Sequence, residues 1–132
     1  MVAAGEDPAR LRSWTVLAPL DAAREKTAGL CSEILGVLGK ETPLISDAID
    51  VRGEQLGPGY GISTDPMTEA VRLLARTEGL LVDPVYGGKA LAGLMAAIRA
   101  GEFAKGDAVL FLMTGGTPGL FVYRDSFQTA GA

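Results

Sequence analysis

The stretch from Asp65 to Gly101, DPMTEAVRLLARTEGLLVDPVYGGKALAGLMAAIRAG, decides the fold. Asp65-Pro66 reads as a cap followed by proline in the first helical position, and Met67, Ala70, Val71, Leu74 and Ala75 then fall on one helical face. Gly79 stops that helix. Leu80 to Val82 is a very short apolar run broken by Asp83-Pro84, after which helical spacing resumes from Lys89 to Ala100 through Ala90, Leu91, Leu94, Met95 and Ile98. Gly101 ends it. A helix, a short apolar strand and a second helix joined by tight turns is the rhythm of an α/β domain.

The flanks extend the same rhythm. Trp14 to Leu17 is an apolar run ending at Pro19, suited to a buried parallel strand. From Asp21, Thr27, Leu30, Cys31, Ile34 and Leu38 recur at helical spacing, with Asp21 as cap and Gly39 at the stop. Ala48 to Val51 reads as a further strand, and Ala108 to Met113, six apolar residues between Gly106-Asp107 and Thr114-Gly115-Gly116, as the clearest one. The chain after Phe127 is expected to fray. The order βαβαβαβ predicts an α/β fold, a mainly parallel sheet flanked by helices, in one domain spanning residues 1–132.

Composition narrows the function. Twelve Lys and Arg against sixteen Asp and Glu give a net charge of -4, with no basic cluster, so nucleic acid is a poor partner. The absence of His removes the commonest metal ligand and the usual partner of an activated Ser or Cys, so no metal site is expected. Cys31, the only cysteine, sits at an apolar helical position, as a buried thiol would. Met1 to Arg12 holds no apolar core of signal-peptide length and no apolar run reaches a membrane span, so the expectation is a cytoplasmic protein without membrane partners. One number is out of line. With glycine counted in place of tyrosine the chain is about 59% apolar, against roughly 45–50% for ordinary domains. Such an excess in a small body implies that part of its surface meets more protein.

In a parallel α/β fold, ligands bind beyond the carboxyl ends of the strands. Three glycine-rich loops stand there: Gly57-Pro58-Gly59-Tyr60-Gly61, Asp83-Pro84-Val85-Tyr86-Gly87-Gly88-Lys89 and Thr114-Gly115-Gly116-Thr117-Pro118-Gly119. Tyr60 and Tyr86 each occupy one of these loops, and a phenol there can donate or accept a proton or cover a flat ring. Thr114, directly after a strand, can bond a ring nitrogen or ligand oxygen. The residues alone leave a second reading open, in which the glycines make turns, the tyrosines fill space and Thr114 caps its turn. Lys89, after Gly87-Gly88, can be read as a nucleophile or an anion contact, or more plainly as a solvated lysine in a helix's first turn. Glu69, Arg72, Arg76 and Glu78 read as an exposed helical face with supporting pairs.

The segments GPGYGISTDPMTEAVRLLARTEGLLVDPVYGGKALAGL and VLFLMTGGTPGLFVY, within Gly57 to Tyr123, resemble the C-terminal region of the D-cysteine desulfhydrase and 1-aminocyclopropane-1-carboxylate (ACC) deaminase family, which includes L-cysteate sulfo-lyases. The resemblance implies a partial large domain of the tryptophan-synthase-β-like fold, that of fold type II pyridoxal-phosphate enzymes. By that resemblance Tyr60 and Tyr86 match the two active-site tyrosines, Thr114 matches the threonine that meets the pyridine nitrogen in the desulfhydrase branch, and Gly115 and Gly116 join it in holding pyridoxal 5'-phosphate. Where the deaminase branch has glutamate after the second tyrosine, this chain has Gly87. That departure favours α,β-elimination from a small cysteine-like amino acid over ring opening.

The family's Schiff-base lysine and phosphate loop lie N-terminal to the matched region. None of Lys26, Lys40, Lys89 and Lys105 stands in the family's lysine motif. The expectation is a chain that turns nothing over alone, missing an N-terminal portion or needing a partner such as a homodimer mate. ACC deaminase activity, a half-enzyme completed by a separate chain, and a small non-catalytic α/β binding domain are the competing readings.

Overall fold

The computed structural model describes residues 4–40 and 46–128. A 3₁₀ turn at Pro8–Arg10 leads into β1 (Arg12–Trp14), followed by α1 (Leu20–Val37), β2 (Asp50–Arg52), α2 (Asp65–Glu78), α3 (Gly87–Arg99) and a single turn, α4 (Gly119–Val122). β1 and β2 pair in parallel, with Arg12 opposite Asp50 and Trp14 opposite Arg52. The chain is α/β, with helices flanking a parallel sheet.

The helices in the deciding stretch end where their sequence signals stand. Thr64, rather than Asp65, caps α2, its hydroxyl accepting from the Met67 N–H at 3.4 Å, and Pro66 occupies the first turn. Gly79 closes α2 in the left-handed conformation at φ 68°, which glycine adopts without strain. α2 presents Met67, Ala70 and Val71 to α3. The two helices meet closely because residue 88 is glycine: a Cβ there would stand 2.8 Å from Val71 and 2.9 Å from Met67. Met67, Val71 and Val82 form the core, with Leu74, Leu91, Phe111, Leu120 and Phe127 packed around it. On the other side of α3, Gly93 receives the Trp14 indole so tightly that a Cβ there would overlap the ring. That notch seats β1 against the helix.

The sheet is smaller than the sequence predicts. Trp14–Leu17 and Ala48–Val51 shift to Arg12–Trp14 and Asp50–Arg52, and neither Leu80–Val82 nor Ala108–Met113 joins a ladder among the described residues. A strand needs a neighbour to take its backbone groups. Phe111 packs on the core while Leu110 and Leu112 are 92% and 74% exposed, so the segment is apolar on both sides with only one side covered. Pattern alone cannot report the missing neighbour. α1 departs in the same way: Ala28 and Leu35 are its buried residues, whereas Leu30, Ile34 and Leu38 are exposed and Cys31 is half-buried. The predicted face is apolar but uncovered. Asp21 lies in the first turn of α1, and Pro19 takes the cap position.

A charge cluster fastens the far edge of the sheet. Arg12 bonds Asp50 and Glu102, and Arg52 bonds the same two carboxylates. Burial pushes the Asp50 carboxyl up, but hydrogen bonds from Arg12 and Arg52 and their charges more than reverse this, leaving it below the ordinary value. Glu102 is lowered as well, chiefly by its hydrogen bond from Arg52. Groups whose folded pKa is depressed add stability above their unfolded values, about 4, and lose it as pH falls through the lower folded values. The urea midpoint is therefore expected to drop steadily below about pH 4, and Glu102→Gln is expected to make that acid slope shallower. An unchanged slope in the variant would refute a role for this cluster.

Candidate active site at the converging loops

Each of the three glycine-rich loops is held by a different local device. Asp83, 3% exposed, turns its carboxylate onto the start of α3 and accepts from the N–H groups of Val85 at 2.9 Å, Tyr86 at 2.6 Å and Gly87 at 2.6 Å. An anion at a helix N-terminus satisfies otherwise orphaned donors and complements the helix dipole. Tyr86 is thereby fixed as the cap residue of α3. The loop at 57–61 lies across the same helix start, with Gly57 at φ 66° and Gly61 at φ 70° bracketing Tyr60. The third loop rests on Asp83 through Gly116, where a Cβ would come within 3.0 Å of the Asp83 Cβ.

Tyr60 and Tyr86 meet. Their hydroxyl oxygens are 2.7 Å apart, and their rings lie at 5.9 Å and 60°. Both side chains remain about half exposed, so the pair is open to a ligand. The hydrogen bond between Tyr86 and Tyr60 pushes the Tyr86 phenol up, assisted by burial and by the charges of Tyr60 and Asp83. Tyr86 accordingly keeps its proton through neutral pH.

Beside the pair opens a cavity of about 590 Å³, whose wall includes Trp14, Tyr86, Gly87, Leu94, Phe111 and Thr114. Thr114 and Tyr86 share this wall, while Tyr60 stands outside it. Gly115 and Gly116 follow at φ 99° and 85°, conformations natural only to glycine. The N–H groups of Gly115 and Gly116 donate to no protein carbonyl among the described residues. The five residues read from the sequence thus belong to adjoining loops, with Tyr60 reaching the cavity only through Tyr86.

Several residues of the site area escaped sequence reasoning in their present form. Lys89 is not solvated: it is 1% exposed, and its ammonium donates to the carbonyls of Leu56 and Gly59. The sequence signals for it were its place at the end of the Asp83–Lys89 loop and beside the apolar Ala90 and Leu91. Tyr123 comes so close to Gly61 that a Cβ there would stand 2.9 Å from its hydroxyl, and Ser126 bonds Ser63 at 2.7 Å. The C-terminal segment therefore closes over the Tyr60 loop. Two of the charges on α2 tie separate elements together, Glu69 pairing with Arg99 of α3 and Arg72 donating to the Phe127 carbonyl, while Arg76 and Glu78 are exposed as expected.

Among the described residues no acidic or thiol cluster could hold a metal, and no helix is long and apolar enough to cross a membrane. A family model described as pyridoxal-phosphate dependent enzyme matches residues 12–115. A crystal structure described as that of an ACC deaminase homologue matches with a TM-score of 0.74 and 30% sequence identity, over 86% of this chain and 33% of that one. The chain spans about a third of the length of the structure it matches.

Proposed function

Because the chain belongs to the pyridoxal-phosphate-dependent enzyme family, we propose that it forms the tyrosine-bearing part of a lyase that removes sulfur from a small cysteine-like amino acid by α,β-elimination. The observation that carries this reading is the hydrogen-bonded pair Tyr60–Tyr86 beside a cavity shared by Tyr86 and Thr114. The cofactor of the family is pyridoxal phosphate, and the residues present fit one side of it. Thr114 offers a neutral hydroxyl to a ring nitrogen, and Gly115 and Gly116 allow close approach of a flat group. The start of α3 does not suit a phosphate, because Asp83 already occupies its N–H groups. The phosphate and the cofactor's lysine belong to the remainder of such an enzyme.

When bound, the cofactor supplies an electron sink for bonds broken at the α-carbon. The chain's own part is proton handling and orientation. As the Cβ–S bond breaks, its electron pair goes to sulfur, and the Tyr86 hydroxyl donates the proton that sulfur takes up. Tyr60 holds that hydroxyl in place and keeps its pKa high, so the proton is present when needed. Thr114, being uncharged, would leave a pyridine nitrogen held beside it less protonated than a carboxylate would. At position 87 there is no carboxylate, and a Cβ would already stand 3.0 Å from both Asp83 Oδ1 and Val82 Cβ. This crowding, together with the resemblance, favours elimination over the ring opening of ACC.

None of the chain's four lysines fits the cofactor's anchor. Lys26, Lys40 and Lys105 are exposed, and Lys89 is engaged with two carbonyls. The chain by itself is therefore proposed to be inactive. The test is co-expression with an N-terminal segment of a family relative that bears the lysine. Release of sulfide or sulfite with the keto acid from D-cysteine or L-cysteate supports the reading. Activity on ACC alone would move the assignment to the deaminase branch.

A further inference from the structure

Lys89 is the buried charge that the proton chemistry leaves without a task. It stands in the first turn of α3, and its ammonium donates to the Leu56 carbonyl at 2.8 Å and the Gly59 carbonyl at 3.1 Å. Among the described residues no carboxylate pairs with it, and burial pushes its pKa down. An ammonium withdrawn from water without an anion is costly unless its hydrogen bonds fix something. What these bonds fix is specific.

Leu56 and Gly59 flank the turn that delivers Tyr60, and α3 is the helix capped by Tyr86. The amine therefore joins the backbone just before one phenol to the helix that begins just after the other. The turn is shaped to wrap the amine. Gly57 adopts φ 66°, and a Cβ there would stand 2.7 Å from Thr64 Cγ2 and 3.8 Å from the Lys89 Nζ. Gly59, whose carbonyl accepts the second bond, has no side chain to hold it elsewhere. Apart from the phenol pair itself, this is the polar link recorded between the Leu56–Tyr60 turn and α3 among the described residues.

We propose that Lys89 is a positioning residue: its buried ammonium pins the Leu56–Gly59 backbone to α3 and so holds the Tyr60 hydroxyl within hydrogen-bond reach of Tyr86. The inference rests on the reading of the two tyrosines as the working pair, but its test reads the pair's geometry and not turnover. Failure of the pin and failure of the chemistry are thereby distinguishable.

The experiment uses the 132-residue chain with ring-labelled tyrosine at neutral pH. In the parent protein, ring-to-ring nuclear Overhauser contacts between Tyr60 and Tyr86 are expected. Lys89→Met should lose them while the helical circular-dichroism signal is kept, and Lys89→Arg, which restores donors, should recover them in part. Contacts that persist in a folded Lys89→Met protein would overturn the proposal. Should Lys89→Met not fold, the parent protein decides the question through acetylation of its amines with mapping by mass spectrometry. Lys89 should react about tenfold or more slowly than Lys26 and Lys105, because its acylation requires local opening. Equal rates would show that the amine is not pinned.

Discussion

Asp83→Ala is expected to lower the unfolding free energy by about 3 kcal/mol. The carboxylate is almost wholly buried and accepts from three successive backbone donors at the start of α3. Alanine would leave those N–H groups without partners, each loss lying in the range of roughly 1–3 kcal/mol before relaxation. Against a total stability of about 5–15 kcal/mol for a domain, this is a large fraction. Asp83→Asn keeps one acceptor oxygen and should lose about half as much. Urea unfolding followed by circular dichroism measures both. A change below about 0.5 kcal/mol for alanine, the usual size of an inconsequential surface substitution, would show that the cap does not hold the helix.

The second large effect concerns Tyr86. In the complemented enzyme, Tyr86→Phe is expected to lower kcat for elimination by about a hundredfold or more, the usual contribution of a positioned proton donor. Tyr60→Phe tests the same pair differently. Its hydroxyl is the main cause of the raised Tyr86 pKa, so its removal should bring that pKa down toward the ordinary value. A donor works only while protonated, and the alkaline fall in rate should therefore begin at lower pH in Tyr60→Phe than in the parent. Identical alkaline limbs would separate Tyr86 from the proton transfer.

Local signals were legible in the sequence wherever they are self-contained. Gly79 and Gly101 end their helices because positive φ is a property of glycine itself. The three loops could be grouped because alternation of helix and apolar run places them at one edge. What could not be read depends on neighbours. Ala108–Met113 has the composition of a strand, yet its ladder requires another strand beside it. Leu30, Ile34 and Leu38 have helical spacing, yet their burial requires a body to cover α1. Lys89 misled for the opposite reason: a lysine in a first helical turn is ordinarily solvated, and only the loop folding over it from Leu56–Gly59 makes it internal. The Tyr60–Tyr86 bond was equally invisible, since 26 residues separate the two phenols.

These neighbour effects point the same way as the comparison with the ACC deaminase homologue, of which this chain spans a third. The uncovered faces of α1 and of Leu110–Leu112 are where further protein would be accommodated. On the proposed reading, this chain supplies tyrosines and Thr114 to a site whose cofactor lysine comes from elsewhere. The sharpest check on that division is borohydride reduction of the complemented protein loaded with pyridoxal phosphate, followed by peptide mapping. The expected result is a reduced cofactor fixed to a lysine of the companion segment, with none above background on Lys26, Lys40, Lys89 or Lys105. Stoichiometric label at Lys89 would refute it, because that would place the anchor in this chain.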